Sequence, residues 1–273
     1  MILSNAHTHS TYCDGKNTLE EMIQEAIHKG FHTLGFSGHS YLSFCDDYPM
    51  SLENTEKYKK EVKELKEKYK GIIDIVLGIE WDYYSDTIKK EDYEYAIGSV
   101  HHLYSSVTDQ YYALDNTREE FSDCLYKGFE GNFEKMAITY FSMVKEMIET
   151  KPIEIVGHLD LMKKLNLNEC FFKEDDPIYL EYAKKAIDAG IKKGCIFEIN
   201  TGGIYRGYHK EPYPGKRLLE YIALHHGKVM INSDSHNTES IDFYFKEAVE
   251  YAKACGINEI YYLTKDGFKS TTI

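Results

Sequence analysis

Two histidines stand two residues apart in Asn5-Ala6-His7-Thr8-His9-Ser10, at the end of an apolar run that begins Ile2-Leu3. Side chains at i and i+2 of a strand share a face, so His7 and His9 direct both imidazoles at one point, the arrangement needed to hold a metal ion. An isolated His-x-His also arises by chance, so the weight of the pattern lies in its repetition. His39, Glu80, His101, His158, Asp234 and His236 each follow a later apolar run, and Asp14 lies in the loop after the first. One metal site takes three or four such ligands. Nine candidates (His7, His9, Asp14, His39, Glu80, His101, His158, Asp234 and His236) are too many for one ion and suit two or three divalent transition metals, with Glu80 able to bridge. Imidazole mixed with carboxylate fits Zn, Fe or Mn without choosing among them.

The runs that carry these residues read as strands, and helices separate them. Thr18 and Glu21 form a capping box ahead of the stripe Leu19, Met22, Ile23, Ala26 and Ile27, which Gly30 ends. Strands are expected over residues 33–37, 72–79, 95–100, 153–156, 195–199 and 229–232. The second is nearly all apolar, as in a parallel strand covered on both faces. Helices are expected from Ser51 to about Gly71, around 118–125, through Ala137 to Ile148, from Pro177 to Gly194, over 215–226 and from Thr238 to Ala254. A last apolar piece covers 260–263. Alternating strands and helices imply a parallel sheet with helices outside. Seven such units with polar residues at nearly every strand end imply an α/β fold closed as a (β/α)7 barrel, with its site at the C-terminal mouth. An open sheet would collect ligands at one switch point instead.

The chain has 273 residues and a net charge of −13, which suits one domain over residues 1–273 and disfavours a nucleic-acid backbone as partner. No apolar run reaches the ~18–20 residues of a membrane span. Six cysteines without Cys-x-x-Cys spacing, and no signal peptide, suggest reduced thiols and a cytoplasmic location. The oligomeric state stays open.

The sixth strand ends without a clear ligand, offering Glu198, Asn200 and Thr201, but its loop brings Arg206 to the mouth. Beside several metals, a guanidinium suggests a held phosphate. Lys163 and Lys164, after His158, are further cationic candidates, and His209 could meet substrate. His102, on the other face of the strand from His101, is expected to point outward or to support a ligand from behind, and Cys13 to serve packing. Asp82 and Asp160 could support neighbouring ligands from behind.

His7-x-His9, Gly38-His39, Gly78-x-Glu80, Gly98-Ser99-Val100-His101, Gly157-His158 and Ser233-Asp234-Ser235-His236 together resemble the motifs of the PHP (polymerase and histidinol phosphatase) superfamily. The resemblance spans residues 2 to about 260 and implies a distorted (β/α)7 barrel with a trinuclear metal centre. It implies one metal on His7, His9, Glu80 and Asp234, a second on Glu80, His101 and His158, and a third on Asp14, His39 and His236. The stretch Glu198-Ile199-Asn200-Thr201, Arg206 and Tyr213-Pro214 is similar to stand-alone histidinol-phosphatases. This implies hydrolysis of L-histidinol phosphate to L-histidinol and phosphate in histidine biosynthesis. A water bridging two cations loses a proton near neutral pH, so the expected nucleophile is a bridging hydroxide. Catalytic roles fall to Glu80 as bridge and to Asp234 with His236 as proton source. Tyrosines of the 104–133 segment could cover the imidazole. The alternatives are a phosphoesterase for nucleotides or short oligonucleotides, and a non-catalytic metal-bound module that supports a partner.

Overall fold

The computed structural model describes residues 3–273; Ile2, placed above in the first strand, lies outside the described residues. Seven parallel strands follow one another round a curled sheet. They are β1 (Ser4–Asn5), β2 (Thr33–Phe36), β3 (Asp74–Asp82), β4 (Tyr95–Ser99), β7 (Ile155–Val156), β8 (Ile196–Asn200) and β9 (Lys228–Asn232). The curl closes at the C-terminal end. There the His9 N–H donates to the Ser235 carbonyl at 2.8 Å, and the Ser235 N–H to the His7 carbonyl at 3.0 Å. At the other end β10 (Glu259–Thr264) follows β9, and β11 (Gly267–Thr272) pairs antiparallel with it, giving nine strands in all. The result is the distorted barrel of an α/β fold.

Two-residue alternation explains how this barrel presents its site. The inward face reads Val76, Gly78, Glu80 on β3; Ile196, Glu198, Asn200 on β8; and Met230, Asn232, then Asp234 on and after β9. Each series is apolar at the bottom and polar at the top. The bottom layer of Ala6, Val76, Tyr95, Ile97, Ile155, Ile196, Met230 and Leu263 forms a closed apolar plug. Tyr95 spans the lumen, donating to the Ala6 carbonyl at 2.5 Å and packing where a Cβ on Gly35 or Gly78 would collide with it. The polar members of these three series are thereby directed to the mouth.

The helices cover the outside through their apolar stripes. In α1 (Leu19–His28), Leu19, Met22, Ile23 and Ala26 are buried, and the Thr18–Glu21 capping box is present. Around the barrel lie α2 (Leu52–Lys68), α4 (Phe133–Thr150), α5 (Pro177–Lys193) and α7 (Lys216–Leu224). Asp176 caps α5 by accepting from Ile178 and Tyr179, and Gly194 ends it at φ 81°. Among the described residues no helix is long and apolar enough to cross a membrane, and the six cysteines are free.

Three elements depart from the sequence expectation. The 103–133 segment contains a hairpin, β5 (His102–Ser105) with β6 (Gln110–Ala113), ahead of α3 (Arg118–Asp123). A short α6 (Gly202–Tyr205) follows β8. The expected helix over 238–254 is divided. A 3-10 turn covers Thr238–Ser240, and α8 (Phe245–Ala254) begins only after Tyr244, whose φ of 64° cannot continue a helix.

Candidate metal centre

All nine ligand-type side chains meet at the barrel mouth. Glu80, 1% exposed, is the hub. Its Oε2 lies 2.8 Å from His39 Nδ1, 3.2 Å from His7 Nε2 and 3.6 Å from His9 Nε2. Its Oε1 lies 3.0 Å from His158 Nε2 and 3.4 Å from His101 Nε2. Asp234 Oδ1 is 3.2 Å from His9 Nε2 and 3.6 Å from His7 Nε2. Nearer solvent, Asp14 is 3.1 Å from His236 Nε2 and 3.6 Å from His39 Nε2.

Four overlapping groups have donor atoms close enough to share an ion: His7, Glu80 and His158; His7, His9 and Asp234; His39, Glu80 and His101; and His9, Asp14, His39 and His236. This partition differs from the one the family resemblance implies, because His158 joins His7 while His101 joins His39. The donor set fits a cation for a further reason. His7 Nε2, His9 Nε2 and Glu80 Oε2 are fully buried, face one another and make no hydrogen bond. Buried polar atoms are rarely left so, and a cation between them would satisfy all three.

The electrostatics are those of tightly coupled opposite charges. Burial would raise Glu80, but His39, His7 and His101 outweigh it and hold the carboxyl well below its usual range. Burial would depress His7, yet Glu198, Glu80 and Asp234 together raise it well above 6.5. His9 goes the other way: burial, with His236 and His39 beside it, lowers it to about 3.

The ligands are braced from behind. Glu198 Oε1 lies 2.7 Å from His7 Nδ1, and Asp82 Oδ2 lies 2.9 Å from His101 Nδ1. Cys13 Sγ is 3.5 Å from His9 Nδ1, so this thiol contacts a candidate ligand. Asp160 turns away, accepting from the Gly215 N–H at 2.9 Å. Glu198 belongs to none of the ligand groups, in keeping with the sequence reading, and its inward parity with Asn200 puts it behind His7.

Above the cluster opens a cavity of about 770 Å³ whose lining includes Arg206, Lys164, Tyr48, His102, Tyr111 and Asp115. Arg206 follows α6, and its Nη2 donates to Asp234 Oδ2 at 2.9 Å. A Cβ on Gly202 would lie 2.7 Å from this Nη2 and 3.0 Å from the Ser233 carbonyl, so a side chain there would push Arg206 aside. Asp234 itself sits at φ 50°, a conformation Asp tolerates better than most residues. Lys164 pairs with Asp115 at 2.8 Å in the wall. Lys163 and His209 do not line the cavity. The 3-10 turn over Leu161–Lys163 sends consecutive side chains in different directions. Lys163 Nζ is buried 3.2 Å from Glu211 and 3.4 Å from Asp160, and His209 Nε2 bonds the Lys163 carbonyl. His102 does not point outward: the chain leaves the barrel into β5, and its buried ring lies parallel to Tyr48 at 6.0 Å in the cavity wall.

The model of one family, the PHP domain, matches residues 5–202. The chain belongs to the PHP domain family. A Schizosaccharomyces pombe protein named probable histidinol-phosphatase is 28% identical, over 97% of this chain and 90% of its own. The histidinol-phosphatase of Bacillus subtilis is 25% identical, over 90% of this chain and 98% of its own. The histidinol phosphate phosphatase of Lactococcus lactis, solved with Zn, L-histidinol and phosphate, superposes with a TM-score of 0.72 at 20% identity. That likeness covers 97% of this chain and 98% of the other. It shows the PHP distorted-barrel fold. Family and buried donor clusters together make this a metal-dependent phosphoesterase with a polynuclear site.

Proposed function

We propose that this chain hydrolyses L-histidinol phosphate to L-histidinol and phosphate, acting as one domain over residues 1–273. The observation that carries the reading is the set of unpartnered buried polar atoms on His7, His9 and Glu80, packed behind His39, His158 and Asp234, which line a cavity that also presents Arg206. In this reading the nine side chains His7, His9, Asp14, His39, Glu80, His101, His158, Asp234 and His236 hold two to three Zn, Fe or Mn ions. Such ions, when bound, supply Lewis acidity toward phosphate oxygens and lower the pKa of water.

The chain's own residues do the rest. Arg206 offers a planar fork of N–H donors to a non-bridging phosphate oxygen. Its buried, unpartnered Nε shows that its hydrogen-bonding capacity is not exhausted by Asp234. Asp234 and His236 stand next to that fork and are assigned to relay to the leaving oxygen the proton given up by the attacking water. The outer wall suits the leaving group. Asp46, Asp47, Asp115 and Glu120 line it, and Phe44 stacks on Tyr111 with centroids 3.8 Å apart. Carboxylates beside flat rings favour an ammonium-bearing heteroaromatic alcohol and repel additional phosphates. Full-length relatives named histidinol-phosphatase support the same substrate.

Phosphate release by metal-loaded protein is compared on L-histidinol phosphate, a mononucleotide and p-nitrophenyl phosphate. The expected result is a clear kcat/KM preference for L-histidinol phosphate. Equal or better turnover of the nucleotide overturns the assignment.

A further inference from the structure

Behind the metal-facing imidazoles lies a carboxylate with no solvent and no cation of its own. Glu198, on β8, is 1% exposed. Its Oε1 accepts from His7 Nδ1 at 2.7 Å and from Asn232 Nδ2 at 2.9 Å. Its Oε2 accepts from the backbone N–H of His158 and from Asn200 Nδ2, both at 2.9 Å. All four neighbours present N–H groups, so this one side chain joins β1, β7, β8 and β9 exactly where two candidate ligands leave the barrel wall.

We propose that Glu198 is a positioning residue that presets the inner half of the metal centre, fixing His7 with its proton on Nδ1 and locking the backbone from which His158 projects. The proposal rests on the metal-dependent reading above. The argument is one of donors and acceptors. A carboxylate is acceptor-only, so the His7 nitrogen facing it must carry the proton. Nε2, which is directed at Glu80 Oε2 and Asp234 Oδ1, is then the nitrogen left for a cation, whose binding displaces any proton it carries. A carboxylate behind a ligating histidine also raises the basicity of the ring. Asn200 and Asn232 hold Glu198 in turn, and Asn232 is itself fixed by accepting from the Ala6 N–H at 2.9 Å.

Glutamine is the informative replacement because it keeps the shape and changes the donor pattern. Its amide has one acceptor oxygen and one N–H2 group. Whichever way it turns, the N–H2 meets two N–H donors. The His7 ring can relieve this by moving its proton to Nε2, which removes that nitrogen from the ligand set.

The test compares zinc-loaded wild type, Glu198→Gln and Asp160→Asn by chelator competition, and reads the ring nitrogens of His7 by 15N NMR, with His7→Gln giving the assignment. Wild type is expected to show His7 protonated at Nδ1 and coordinated through Nε2. Glu198→Gln is expected to bind its inner zinc about ten- to a hundredfold more weakly, while Asp160→Asn, the same change at a buried carboxylate that touches neither Glu198 nor a candidate ligand, stays within about threefold of wild type. Wild-type affinity in Glu198→Gln, or an equal loss in Asp160→Asn, overturns the role. If Glu198→Gln does not fold, the wild-type spectrum decides: coordination through Nδ1 overturns the proposal and Nε2 coordination supports it. Less than one zinc on wild type overturns the metal reading and this inference together, whereas zinc uptake with the wrong His7 nitrogen overturns Glu198 alone.

Discussion

The inner and outer halves of the centre use the same residue types in different surroundings. Inside, the side chains of His7, Glu80, His101 and His158 are 0–5% exposed, and two of the imidazoles have carboxylates behind them. Outside, the Asp14 and His236 side chains are 32% and 20% exposed, and His236 Nδ1 has the Asp234 carbonyl at 2.9 Å for support. Donor type alone therefore does not set how firmly an ion is held. In the proposed metal centre, burial and the partner behind each ring would set a firmly held inner half apart from a more readily exchanged outer half.

The largest expected effect comes from breaking the inner half. His158→Ala and Glu80→Gln should each lose metal and activity together. Several kcal/mol of transition-state stabilisation are at stake, so kcat/KM should fall by about a thousandfold or more. Elemental analysis beside steady-state kinetics reads both losses; full activity with full metal in either variant would remove that residue from the centre.

Arg206 comes next. A charge-assisted hydrogen bond is worth roughly 1.5–3 kcal/mol, so Arg206→Met should lower kcat/KM by about tenfold to a hundredfold and leave metal content unchanged. Arg206→Lys keeps the charge without the planar fork and should recover only part of that. Wild-type kinetics in Arg206→Met would leave Lys164 as the phosphate-binding candidate.

An outer-half change should be milder. Asp14→Asn is expected to weaken one ion by about tenfold while the others stay, because Asp14 belongs to one ligand group only, its side chain is 32% exposed, and water can replace it. Chelator titration should then show a biphasic loss, and simultaneous release of all ions would break the inner–outer distinction. The smallest effect on catalysis is expected at Lys163. Lys163→Met should leave KM unchanged, since Nζ lies outside the cavity. Its cost should appear as stability, about 3–5 kcal/mol for the buried Asp160 carboxylate left without its cation, read by denaturant unfolding. A raised KM with unchanged stability would return Lys163 to the substrate.

The same division separates what the sequence disclosed from what it did not. Ligands on barrel strands were legible because period-two alternation fixes which way they face: Glu80 and His101 follow inward Gly78 and Ser99. Asp14 and His39 were legible by type and by their place after a strand. The cavity wall was not. Its hairpin is built from two four-residue strands turning at Asp109, φ 55°, within a Tyr-rich stretch that lacks clean alternation. Phe44, Tyr48 and Asp115 come from loops, where no periodicity specifies direction. Lys163 and Lys164 are adjacent in sequence, and only the turn that parts them decides that one enters the cavity wall and the other a buried ion pair. The break at Tyr244 escaped notice because the apolar spacing of 238–254 continues through it.

The most direct test of the central claim is to strip the protein with chelator, then follow phosphate release from L-histidinol phosphate while Zn or Mn is added back. The account predicts no activity in the stripped protein and a rate that saturates between two and three bound ions per chain. A full rate with less than one ion bound would contradict it.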